Sequence, residues 1–171
     1  MFKMIGAIFI LAATTWAGFE YSKRLSIRPK QLQQFRNALE TLEAEIMFGH
    51  TPLGEAARRI SKQMAEPIAS HFRLFEQNLL QEEITVKAAW EQSLKTIWKK
   101  TFLKQGEYEI LLQFGENLGR HDRETEQKQI MLTLSHLTRE EEGAREKQVK
   151  YEKMAKSFGI LTGMLIVILL I

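Results

Sequence analysis

The sequence predicts an all-α protein: an antiparallel six-helix cytoplasmic bundle flanked by N- and C-terminal transmembrane helices. Three observations carry this. Leu25, Leu32, Leu39 and Ile46 recur every seven residues with Phe35 and Leu42 between them, the spacing of a packed helix seam, and no run alternates with period two. Only 3 prolines occur among 171 residues, so little interrupts helices. Both ends of the chain are apolar runs without charge, Met4 to Phe19 and the stretch after Lys156. The expected division is 1–22 (first membrane helix), 23–156 (bundle) and 157–171 (second membrane helix).

The elements follow in order. The first apolar run holds about 16 residues and the last about 14, or roughly 24 and 21 Å of helix against a hydrocarbon core of ~30 Å, so spanning requires flanking residues such as Lys156 to join in. Lys23, Arg24, Arg28, Lys30 and Arg36 follow the first run, and Arg145, Lys147, Lys150, Lys153 and Lys156 precede the last. Basic flanks stay on the cytoplasmic side, which places the middle inside, both termini outside, and argues against a cleaved secretory signal. A first bundle helix is expected from about Pro29 to Phe48. Gly49 supplies a left-handed cap, Thr51 caps the next helix and Pro52 occupies its first position. That second helix runs to about Ala65. Pro67 opens a third (Ile68, Phe72, Phe75, Leu79) and Thr85 caps a fourth (Val86, Ala89, Trp90, Leu94, Ile97, Trp98). A fifth spans about Leu103 to Leu118, stopped by Gly119.

Asp122 caps the sixth helix, in which Ile130, Leu137, Ala144, Tyr151 and Phe158 keep the seven-residue repeat. Glu141 with Arg145 and Glu146 with Lys150 have the spacing of exposed helical ion pairs, and this longer helix is expected either to project beyond the first or to bend, with Gly143 the place for a bend. Because the first and sixth helices both lead into the apolar ends, those ends should be neighbours. Gly159 and Gly163, the only G-x-x-x-G, offer a close-packing strip opposite Gly6, Ala13 and Ala17.

Composition excludes several chemistries. With Cys 0 there is neither a disulfide framework nor a thiolate metal site, and a net charge of +3 is too small to argue for nucleic acid. No phosphate-cradling glycine loop with lysine and hydroxyl is present. His50, His71, His121 and His136 lack the spacing of a zinc site and read as turn or surface residues. The expectation is therefore a protein that is not an enzyme, with no catalytic residues, no cofactor and no metal.

Two stretches stand out, "GHTPL" from Gly49 and "FGENLGRHD" from Phe114. With Gly49, Pro52 and Leu53 in the first and Gly115, Glu116 and Gly119 in the second, the chain is similar to the cytoplasmic repeat of the type II secretion platform protein F. With one repeat instead of two, and with "LKQGEYEI" between the motifs, the whole chain resembles the stage III sporulation protein AB family of endospore-forming Firmicutes. The resemblance implies a component of the mother-cell-to-forespore channel, a multi-pass protein of the mother-cell membrane (outer forespore membrane) with a cytoplasmic domain. Its implied partner is a cytosolic secretion-type ATPase, stage III sporulation protein AA.

Charge placement suggests a working surface. The first bundle helix is basic near its start and acidic at its far end (Glu40, Glu43, Glu45), with Glu55 past the turn and Glu116 in the second motif. Complementary potentials orient docking, so these five carboxylates are the expected partner-binding residues. The leading reading is a membrane adaptor that recruits the ATPase. A pore or platform subunit of the channel, and possible self-association, form the alternative.

Overall fold

The computed structural model describes residues 2–81, 83–119 and 123–170. Among them are six helices and no strand: α1 (Phe2–Met47), α2 (Leu53–Gln63), α3 (Ile68–Leu79), α4 (Val86–Trp98), α5 (Gln105–Asn117) and α6 (Arg123–Leu170). The chain divides into two compact units, Lys30–Glu141 and a second made of Met1–Pro29 with Glu142–Ile171.

The expected transmembrane helices are not found. Among the described residues no helix is long and apolar enough to cross a membrane. The physical reason lies in the run lengths: about 16 and 14 apolar residues fall short of the ~20 that ~30 Å of hydrocarbon requires. Extending either run brings in charge, Glu20 with Lys23 at one end and Lys153 with Lys156 at the other. Instead the apolar ends continue the long helices α1 and α6, and α1 passes through Pro29 without interruption. The surroundings of Gly159, Gly163 and Gly6 lie outside the described residues.

In the unit Lys30–Glu141 the seam holds as predicted. Leu32, Phe35, Leu39 and Leu42 of α1 and Ile130 and Leu137 of α6 are buried. At its centre Trp90 of α4 donates from Nε1 to the Leu111 carbonyl at 2.8 Å. Its ring packs against Phe75 and Phe114 at about 5 Å and against His71 at 4.4 Å edge-on. Gly115 makes room for that ring, since a Cβ there would stand 2.1 Å from Trp90 Cδ1. His71 is thus a core residue, not the surface histidine expected. It lies on α3 in register with Ile68, Phe72 and Phe75, all buried.

Capping differs from expectation at the first turn. Thr51 does not cap α2: its hydroxyl donates to Glu45 at 2.6 Å, and Pro52 occupies the N-cap. Nor does Gly49 supply the left-handed residue, which is His50 at φ 49. Gly49 is needed for space, because a Cβ would lie 2.8 Å from the Glu45 carbonyl oxygen. Thr85 caps α4 as predicted, accepting from Ala88 N–H at 3.2 Å, and Gly119 takes φ 73 after α5. Asp122 lies outside the described residues. Glu126 closes that turn from the other side by accepting the Gly119 N–H at 2.9 Å. Glu141 is not on an exposed face; it is buried, with Oε2 3.1 Å from Arg36 Nε.

In the second unit, Gln148 of α6 donates to Ser26 of α1 at 3.4 Å and Ser22 is buried. Several of its large apolar side chains are exposed: Trp16 and Phe19 on α1, and Leu161, Met164, Leu165 and Ile168 on α6.

Candidate functional site: the α1–α2 end of the helical unit

Short turns set the ends of the Lys30–Glu141 unit. Helices α2 to α5 pack consecutively, Asn78 near the end of α3 donates to Ala89 near the start of α4 at 3.3 Å, and Gln127 at the start of α6 donates to Glu43 near the end of α1 at 3.1 Å. The α1–α2, α3–α4 and α5–α6 connections therefore share one end. The α4–α5 turn lies at the other, where the Phe102 N–H donates to Gln31, near the start of the α1 portion within this unit, at 2.8 Å.

The five predicted partner-binding carboxylates collect toward the first end, but they are engaged to different degrees. Glu45 accepts from Thr51 and from Arg59 Nη1 at 3.2 Å, while Arg59 Nη2 donates to Glu55 at 2.6 Å. One guanidinium thus ties the end of α1 to the first turn of α2. The Thr51 hydrogen bond, with help from Arg59, holds the Glu45 carboxyl below its usual range despite some desolvation. The bonds to Glu55 and Glu45 raise Arg59. Glu40 is exposed and sits 3.4 Å from Arg36. Glu43 is half-buried against neutral Gln127. Glu116 on α5 meets Lys87 on α4 at 2.6 Å.

These ion pairs lower the acidic surplus that the sequence alone suggests. What they leave is a braced turn whose conformation is fixed by Glu45, Gly49 and Arg59. It carries an exposed aromatic side chain, Phe48, at 78% accessibility. Leu80, at the α3–α4 turn of the same end, is 77% exposed. An open groove between α2 and α3, lined by Glu55, Arg58, Lys62, Glu76 and Leu80, borders the turn. Sequence reasoning missed Phe48 because it reads there as the last residue of a helix. The signal was its position one residue past Met47, off the seam that buries Leu39 and Leu42. Among the described residues no group of three or more metal-ligating side chains converges.

Gly49, Pro52 and Leu53 build this turn, whereas Gly115 and Gly119 serve α5, the first facing Trp90 and the second Val86 of α4. The two motifs are thus structural supports at and below one end of the unit.

Comparison with known proteins places the chain in a family. The family model described as stage III sporulation protein AB matches residues 3–171. A curated stage III sporulation protein AB from Bacillus subtilis (strain 168) is 51% identical over 170 residues, covering 99% of each chain. A solved structure of stage III sporulation protein AB superposes with a TM-score of 0.70 at 49% identity, covering 72% of this chain and 98% of that one. The chain belongs to the stage III sporulation protein AB family.

Proposed function

We propose that this sporulation protein is a non-enzymatic adaptor of the mother-cell-to-forespore channel. Its braced α1–α2 end docks a cytosolic secretion-type ATPase, stage III sporulation protein AA. The observation that carries the reading is Phe48, an aromatic side chain held in solvent on a fixed turn and accompanied by Glu40, Glu43, Glu45 and Glu55. Aromatic anchors set in a polar surround are the usual energetic centres of protein interfaces. The partner surface that fits is a basic rim around an apolar pocket. The chain works at the mother-cell membrane, with the exposed apolar side chains Trp16, Phe19, Leu161, Met164, Leu165 and Ile168 supporting attachment there.

A second reading, a platform or pore subunit of the channel, is favoured by those same apolar side chains, which suit contacts with further subunits or a second copy. Binding of the full-length chain to the purified ATPase separates the two. Phe48→Ala should weaken binding at least tenfold with helicity unchanged, since interface aromatics of this kind are worth about 2 kcal/mol or more. Unchanged affinity would remove the turn from the interface and leave the platform reading.

A further inference from the structure

The opposite end of the Lys30–Glu141 unit carries a charge cluster that none of the functions above uses. Lys95, Lys99, Lys100 and Lys104 fall within ten residues around the α4–α5 turn, and all are exposed. Elsewhere in the unit Arg36, Arg58, Arg59, Arg73, Lys87 and Lys128 each meet a carboxylate, while Lys30, Lys62 and Arg139, which lack one among the described residues, are spread along different helices. Among the described residues none of these four lysines has an ion pair. Three carboxylates lie in the vicinity, and none forms an ion pair with these lysines. Glu107 is buried and accepts the Lys104 backbone N–H, while Glu91 and Glu109 are exposed one turn away on α4 and α5.

Helix stability does not account for the cluster. Lys95 and Lys99 lie at the C-terminus of α4, where a cation complements the helix dipole. Lys104, however, is the N-cap of α5, where a cation opposes the dipole and the side chain has no oxygen to accept an amide hydrogen. Its charge is therefore locally unfavourable. Beside the lysines stands a half-buried aromatic pair, Trp98 and Tyr108, with ring centroids 4.7 Å apart, and Phe102 and Leu103 are half-buried in the turn itself. Phe102 N–H is bonded to the Gln31 side chain of α1.

We infer that the α4–α5 turn is a docking surface for an anionic phospholipid bilayer, with Lys99, Lys100 and Lys104 meeting headgroup phosphates and Trp98 and Tyr108 lying at headgroup level. Polybasic segments gain roughly 1 kcal/mol per lysine at such a surface, and amphipathic aromatic rings concentrate there. A single-stranded nucleic acid fits less well, because bases need free ring faces to stack on and these two rings are packed against each other. The contact needs no spanning helix, and it is independent of ATPase docking.

The test is binding of the full-length chain to vesicles of phosphatidylcholine alone or with 30 mole per cent phosphatidylglycerol. The apolar ends contribute to both, so the reading is the ratio between them. That ratio should fall about tenfold or more in K99Q/K100Q/K104Q, given the gain per lysine. It should also fall in 0.5 M salt. It should be preserved in R58Q/K87Q/K128Q, which removes the same charge elsewhere. Bromine-labelled phosphatidylglycerol should quench Trp98 in a W16F chain, the core residue Trp90 giving a constant background. Equal loss in both triple variants, no dependence on phosphatidylglycerol, or no quenching would overturn the inference. So would elimination of the ratio by millimolar inorganic phosphate or by single-stranded DNA, either of which would reassign the cluster to a soluble ligand.

Discussion

The aromatic centre of the helical unit and its α1–α2 end are held together by different physics. Around Trp90 the contacts are rings at 4.4 to 5.8 Å and one buried hydrogen bond, with no charged neighbour needed. At the α1–α2 turn the contacts are Glu45, Thr51, Glu55 and Arg59, all linked in a solvent-accessible chain of hydrogen bonds. Burial makes each atom at the centre count, because a close-packed interior cannot absorb displacement. Solvent screening makes each bond at the turn weak, so the turn fixes a shape without contributing much to global stability. A turn built this way can change its charges without unfolding the protein.

The largest expected effect comes from breaking the centre. Gly115→Ala places a methyl 2.1 Å from Trp90 Cδ1 and 2.5 Å from Cγ, so the indole must swing away from Leu111. Overpacking combined with loss of a buried hydrogen bond costs about 3 kcal/mol or more. Denaturant titration should show that loss with the slope unchanged. A variant as stable as the parent would mean that Trp90 has another position available.

His71 sharpens the comparison, because it is the one titratable group inside the centre. Neither ring nitrogen makes a hydrogen bond of regular geometry. Burial pushes the imidazole down to about 3, opposed in small part by the Ser93 backbone. The group is neutral in the folded chain and binds a proton on unfolding below its ordinary value of about 6.5. Stability should therefore rise with pH between about 3 and 6.5 and fall by up to roughly 1.4 kcal/mol per unit as the solution is acidified through that window. His71→Leu should remove most of this slope above pH 5, while carboxylates still contribute below. An unchanged slope in equilibrium unfolding would place the acid sensitivity elsewhere.

Much of this architecture was legible in the sequence, and the exceptions share a cause. The seam residues Leu32, Leu39, Ile130 and Leu137 were found from period alone, since burial follows helical phase. His71 was missed because its chemistry suggested a surface, although its register with Ile68 and Phe75 placed it inside. Thr51 and Gly49 read as standard caps, yet α2 takes Pro52 as its N-cap, one residue past Thr51, whose hydroxyl donates to Glu45 instead. The membrane helices were inferred from runs lacking charge, a criterion that neglects how close the nearest charged residues lie. The positions of Glu43, Glu45 and Glu55 on either side of the α1–α2 turn follow from helix length and turn position. Arg36 beside Glu40 and Arg59 beside Glu55 have the local spacing of four, but Arg59 reaching Glu45, Gln127 reaching Glu43 and Lys87 reaching Glu116 cross between helices, and local spacing cannot reveal those.

A smaller effect is expected at Gly119, between the two regions in character. Its φ of 73 suits glycine, and a Cβ there would meet only Val86 at 3.7 Å or beyond. Gly119→Ala should cost about 1 to 2 kcal/mol for the left-handed backbone alone. Gly119→Asn, which tolerates that region better, should recover part of it in the same thermal melts.

The smallest effect belongs to the turn. Thr51→Val removes the hydrogen bond that contributes most to lowering Glu45, and leaves Arg59 in place. Because the folded carboxyl lies below its unfolded value of 4.5, it contributes stability above that pH and loses it as pH falls through the folded value. The variant should therefore differ from the parent at neutral pH, by no more than about 2 °C in Tm. The two curves should converge as Glu45 protonates in both. High salt, which weakens the Arg59 pair, should not remove the difference, since the deleted bond comes from a neutral hydroxyl. A difference that persists undiminished to pH 2 would show that Thr51 acts through packing at the turn. A large loss of ATPase binding alongside the small shift in Tm would mean instead that the position of the Phe48 turn, and not its charge, is what the partner reads.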